Sequence, residues 1–167
     1  SSASSGRQWE GLRQTLEPRL RVRAVDFHGH GGQASWHGGA PLTLADDAGL
    51  VEPLLAEGGG VHIVGHSYGG AVALKLASAH PGLVRSVAVY EPVLFRWLHD
   101  AGIGREPARD IVAVADAIRA NLAAGQDAAA AQGFIDFWSG AGAWKSLAAG
   151  KQSTIAARMP DVLRNFD

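Results

Sequence analysis

The strongest constraint in this sequence is a five-residue turn, Gly65-His66-Ser67-Tyr68-Gly69. It stands directly after a short β-branched run, Val61 to Val64, and directly before a small-residue helical stretch, Ala71 to Ala79. A chain can pass from strand to helix that abruptly only where the backbones come very close, hence glycine two before and two after the serine. The strain lifts the serine hydroxyl above the sheet edge, and the helix that starts there favours developing negative charge. Ser67 is therefore a candidate nucleophile, with the backbone N–H of Tyr68 as a candidate oxyanion donor. The competing reading is a glycine-rich turn that lets a helix pack on a sheet.

Around this turn the chain alternates. Ser5 and Gln8 have capping-box spacing, and an amphipathic helix is expected through about Glu17, stopped by Pro18. Leu20 to Asp26 alternates in the manner of a strand. A glycine-rich loop, Phe27 to Pro41, follows. Thr43 and Asp46 then open a helix with Leu50, Val51, Leu54 and Leu55 on its apolar face, and Gly58-Gly59-Gly60 closes it. Val84 to Tyr90 reads as a strand buried on both faces. Strand-helix-strand-helix-strand implies parallel strands joined by right-handed crossovers, an α/β fold. Beyond Pro92 the pattern is helical: Pro107–Ala124, Gln126–Ser139, and Lys151–Phe166 interrupted at Pro160.

Val61-His62-Ile63-Val64-Gly65-His66-Ser67-Tyr68-Gly69-Gly70 resembles the nucleophile elbow of the α/β-hydrolase superfamily. Asp26-Phe27-His28-Gly29-His30-Gly31 resembles the end of that family's strand 4. Ser1-Ser2-Ala3-Ser4-Ser5 through Trp9 resembles the segment after strand 3, which carries an oxyanion loop, and His80-Pro81 with Ala88 to Pro92 resembles the approach to strand 6. The resemblance implies part of a doubly wound parallel sheet, with strands 4, 5 and 6 in residues 1–94. A truncated helical cap would occupy 95–167. It implies a Ser-His-acid triad with Ser67 as nucleophile and Gly65 and Gly69 as elbow glycines. Oxyanion donors would be the backbone N–H groups of Tyr68 and Ser2, with Ser1 next. No cofactor and no metal are implied.

In the family the acid follows strand 7 and the histidine strand 8. Neither region is recognisable here, and the chain begins after the family's third strand, whose place in the sheet is between strands 4 and 5. The resemblance thus predicts an internal fragment of a longer hydrolase, nearly inactive alone, because serine without a base is a poor nucleophile. Seven histidines are present. His28 and His30 lie on a loop expected to reach the catalytic edge, but the family places its base elsewhere. Glu91, at the end of the strand after the nucleophile strand, is a candidate acid of the kind a minority of hydrolases use; the alternative is a plain strand-end glutamate.

A serine nucleophile, where some relatives of this fold carry aspartate, points to acyl chemistry. The candidates are ester, lactone or thioester hydrolysis, or C–C hydrolysis of a diketone. Phe95, Trp97, Phe134, Phe137, Trp138 and Trp144 crowd the cap segment and suit a small hydrophobic acyl substrate.

Composition narrows the alternatives. Fifteen basic against sixteen acidic side chains, net charge −1, give no electrostatic reason to seek nucleic acid or anionic lipid. No cysteine means no disulfide, thiolate zinc site or cysteine nucleophile. No run approaches the roughly 18 apolar residues of a membrane span, and no signal peptide is visible, which suggests a cytoplasmic protein. Arginine exceeds lysine and Ala and Gly abound, as in GC-rich bacterial genomes. His28, His30 and His37 lack the converging carboxylates a metal site needs. Gly29-His30-Gly31-Gly32-Gln33-Ala34 matches a dinucleotide fingerprint only if a helix begins at once, and Trp36 and Pro41 argue against one. Two rivals stay open: a non-catalytic ligand-binding protein of the same fold, and a nucleotide-binding α/β domain. Oligomeric state is not legible.

Overall fold

The computed structural model describes residues 2–57, 59–95 and 105–166. They fall into two compact units, Ser1–Val93 and Leu94–Asp167.

In the first unit, β1 (Val61–His66) pairs in parallel with β2 (Val84–Tyr90), joined by helix α4 (Tyr68–Ala79). The register sets Ile63 opposite Val87, Gly65 opposite Val89 and His66 opposite Tyr90. Three shorter helices precede them: α1 (Glu10–Leu16), α2 (Leu44–Gly49) and α3 (Glu52–Leu55). The expected cap of α2 forms, with Thr43 N–H donating to Asp46 Oδ2 at 2.8 Å and Asp46 N–H returning to Thr43 Oγ1 at 3.4 Å. Ala48, Leu55, Tyr68, Val72 and Leu76 make the buried core, with Phe27, Leu44, Val51, Val61, Ile63 and Val84 packed against it. Burying such side chains is the main stabilisation available to a unit this small.

Three expectations need correction here. The Ser5–Gln8 capping box is absent: Gly6–Trp9 is a 3-10 turn without a side-chain cap, and Ser4 Oγ donates to Gln8 Oε1 instead. Leu20–Asp26 joins no sheet; among the described residues the sheet has two strands, not three. Alternation readies a segment for pairing, but a strand exists only where a neighbouring backbone supplies the partners. This one has none, and its exposed Arg21 and Arg23 reach Glu57 at 3.3 Å each. Nor is β2 buried on both faces. One face of the pair carries α4. The other is open, with Val64 47% and Tyr90 65% exposed, and forms a cleft lined by Trp9, Val64, His66, Ala88 and Tyr90. Valine content reports strand propensity; what covers a face is decided by neighbours.

The second unit is helical: α5 (Arg105–Ala123), α6 (Asp127–Ser139), α7 (Ala149–Ala156) and α8 (Met159–Leu163). Gly125, at φ 67°, ends α5 in a Schellman turn, with Gln126 N–H donating to Asn121 O and Gly125 N–H to Leu122 O. Ala130 and Ala131, essentially fully buried, give α6 a thin face, and Ile118, Phe134, Ile155, Met159 and Val162 fill the core. The interruption expected at Pro160 is there: α7 ends at Ala156, and Pro160 sits in the first turn of α8, where its missing N–H leaves no bond unmade. Phe95, Trp138 and Phe166 stack, with Phe134 edge-on to Phe166. Trp97 and His99 lie outside the described residues.

Candidate functional site

Ser67 sits between β1 and α4 at φ 54°, ψ −125°. For a residue with a Cβ this is left-handed, strained backbone, tolerated only where surrounding bonds over-determine it. They do. Ser67 N–H donates to Tyr90 O at 3.0 Å, and Ser67 O accepts from Gly70 N–H (2.8 Å), Ala71 N–H (3.3 Å) and Val93 N–H (3.2 Å). The nucleophile candidate is thus pinned on one side by the first turn of α4 and on the other by the chain leaving β2.

Close approach explains the glycines. A Cβ on Gly65 would lie 2.5 Å from Gly69 O and 2.7 Å from Gly70 Cα. One on Gly70 would lie 2.9 Å from Pro92 Cβ. Gly70 is therefore as tightly placed in the turn as Gly65, and the Gly69-Gly70 doublet was the signal for it. Tyr68 is the first residue of a helix of 12, so its N–H points out of the helix start, where the macrodipole is positive.

The Tyr68 side chain runs the other way, into the core. Its hydroxyl donates to Asp47 Oδ2 at 2.7 Å, and its ring meets Phe27 edge-on at 5.7 Å. Asp47 is fully buried and accepts twice more on Oδ1, from His28 N–H at 3.0 Å and His28 Nδ1 at 2.8 Å. Burial pushes the Tyr68 phenol well above the ordinary tyrosine value, and the charge of Asp47 reinforces it. Sequence reasoning passed over Asp47. A legible signal existed: Asp46 serves the cap, while Asp47 falls on the stripe of Leu44, Ala48 and Val51, where a carboxylate is out of place unless it is bonded.

The remaining candidates are placed as follows. Ser2 lies in a turn beside Ala3, which has φ 56°. That N-terminal segment is tied down by Asp26, whose Oδ1 accepts from Gly6 N–H at 2.6 Å and whose Oδ2 accepts from Gly32 N–H at 2.9 Å. Glu91 is exposed, strained at φ 44°, and immediately follows the carbonyl that holds Ser67. No described histidine is hydrogen-bonded to it or to Ser67. His28 is held by Asp47; His30 Nδ1 is 2.8 Å from His28 O; His62 Nδ1 is 2.7 Å from Ser86 Oγ; His80 Nε2 is 3.0 Å from Glu52 Oε1. The His66 ring lies against Tyr90 at 5.3 Å, and burial holds its pKa below the ordinary histidine value, opposed by the charge of Glu91. The glycine loop at residues 29–34 is followed by no helix until Leu44, so it lacks the helix start a pyrophosphate needs. No helix among the described residues is long and apolar enough to cross a membrane.

A strained serine between a parallel strand and a helix, cleared of side chains by glycine, defines an α/β protein with a strand–turn–helix site. The model of the alpha/beta hydrolase family matches residues 2–166, and the chain belongs to that family. It is similar to the lipase LipV of Mycobacterium tuberculosis, 37% identical over 91 residues, covering 53% of this chain and 33% of the lipase. It is 45% identical over 82 residues to the dihydrolipoyllysine-residue acetyltransferase component of the acetoin cleaving system of Cupriavidus necator, covering 48% of this chain and 21% of that protein. An AB hydrolase superfamily protein of Gibberella zeae is 34% identical over 90 residues, covering 52% of this chain and 31% of the fungal protein. The matched segments thus span about a third or less of each relative. No solved structure matches the chain.

Proposed function

We propose that Ser67 is the nucleophile of a serine hydrolase acting on an ester or related acyl bond of a small hydrophobic substrate. The observation that carries this is the backbone of Ser67, strained at φ 54° and held by bonds to both α4 and the exit of β2. Strain of this kind, fixed from two sides, serves presentation of a side chain better than it serves packing. In the reaction Ser67 Oγ attacks the acyl carbonyl carbon, and its proton passes to a general base. The carbonyl oxygen takes the negative charge and is met by Tyr68 N–H at the start of α4, with Ser2 N–H as second donor. Collapse of that intermediate expels the alcohol, and water then releases the acyl group. In this reading the base and its acid come from outside the described residues, since no described histidine is hydrogen-bonded to Ser67. The names lipase and acetyltransferase component, carried by two similar proteins, both describe chemistry at an acyl carbonyl and support the class.

The test is intact-mass spectrometry of the natural protein before and after a fluorophosphonate probe, with Ser67→Ala as control. One adduct, lost in Ser67→Ala, is expected. A folded protein that takes no adduct at Ser67 refutes the nucleophile and favours a non-catalytic ligand-binding role.

A further inference from the structure

Asp47 is a fully buried polar group that the hydrolysis described above does not use. Its carboxylate accepts three bonds: two from His28, on the loop after the Leu20–Asp26 segment, and one from the Tyr68 hydroxyl. A carboxylate at zero exposure is an expensive way to fill a helix face that is otherwise Leu44, Ala48 and Val51. Asp47 is connected to the site through covalent geometry. Tyr68 supplies two groups that point in opposite directions: its backbone N–H faces out of the helix start, and its hydroxyl ends on Asp47 Oδ2. The plane of the Ser67–Tyr68 peptide is set by the strained ψ of Ser67 and the φ of Tyr68. Relaxation of that strain would rotate the peptide plane, and with it the whole Tyr68 side chain. Fixing the far end of the side chain resists the rotation.

We propose that Asp47 is a positioning residue for acyl transfer at Ser67. By holding the Tyr68 hydroxyl against the His28 loop, it keeps the Tyr68 N–H aimed at the developing oxyanion. The inference rests on the reading of Ser67 as nucleophile. It makes Tyr68 a residue whose backbone acts on the substrate while its side chain acts on its own backbone. A donor misplaced by a fraction of an ångström loses transition-state stabilisation but not ground-state binding, because the oxyanion exists only in the transition state and the intermediate.

The experiment uses the full chain in its natural protein, with p-nitrophenyl butyrate as substrate and an alkyl trifluoromethyl ketone as probe of the tetrahedral oxyanion adduct. Tyr68→Phe removes one oxygen and keeps the N–H; Asp47→Asn keeps the shape and removes an acceptor. We expect kcat to fall about tenfold in Tyr68→Phe, with KM unchanged and the ketone affinity falling in parallel. Asp47→Asn should fall at least as far, and the double variant no further than Asp47→Asn alone, because both cut the same bond. If Asp47→Asn does not fold, Tyr68→Phe carries the test by itself. Wild-type kcat and ketone affinity in Tyr68→Phe, with only its melting temperature lowered, would reduce Asp47 to a core residue and overturn the inference. Failure of the underlying reading looks different: the wild-type protein itself would show no fluorophosphonate adduct at Ser67, and both would fall together.

Discussion

Replacing Gly65 by alanine adds a single methyl group at the most crowded point of the site. The added carbon would sit 2.5 Å from Gly69 O, 2.7 Å from Gly70 Cα and 2.9 Å from Gly69 C. All three are backbone atoms, so no side chain can rotate away. Ordinary carbon contacts begin near 3.5 Å, which leaves a shortfall of roughly 1 Å to be met by moving β1 and α4 apart. That movement pulls on Ser67 N–H to Tyr90 O and on Ser67 O to Val93 N–H, the two bonds that tie the turn to the exit of β2. Overpacking in a well-packed core costs about 1–3 kcal/mol, and a clash confined to backbone belongs at the upper end. A loss of about 3 kcal/mol corresponds to roughly 6–12 °C in melting temperature for a chain of this size. Thermal and urea unfolding followed by far-UV circular dichroism measure it. Gly82→Ala is the control, since a Cβ there meets nothing within 4 Å. If Gly65→Ala melts within about 1 °C of wild type, equivalent to under 0.5 kcal/mol, the close passage of strand and helix is not what fixes glycine at this position.

Two further outcomes follow from charged groups in the first unit. Asp26→Ala removes the acceptor for both Gly6 N–H and Gly32 N–H, so the Gly6 amide should exchange with solvent at least tenfold faster and stability should drop by about 1–2 kcal/mol; unchanged exchange at Gly6 would show that the segment is held by something else. Tyr68 is raised in the folded state and titrates near pH 10 when unfolded, so its contribution is complete below about pH 10 and drains away above it. The urea midpoint of the wild type should therefore fall more steeply between pH 9 and 11 than that of Tyr68→Phe, and equal slopes would contradict a buried, protonated phenol.

Local chemistry was the legible part of the sequence. The Thr43–Asp46 cap, the turn at Ser67 and the helix after it depend on residues within a few positions of each other, and the structure has all three. Leu20–Asp26 was misread because pairing depends on a neighbour that no local pattern encodes, and β2 because propensity says nothing of what covers a face. Asp47 was missed for a related reason. Its partners, His28 and Tyr68, are 19 and 21 residues away in opposite directions along the chain, so only the fold makes them a unit. Pro160 belongs with the legible features: a proline cannot continue a preceding helix, and α7 ends before it.

The last bond holding Ser67 comes from Val93, the final residue of the first compact unit. Among the described residues, the backbone bonds that frame the serine all come from this first unit. A single residue inserted between Tyr90 and Val93 would throw one end of the frame out of register, since those two residues supply its outer supports.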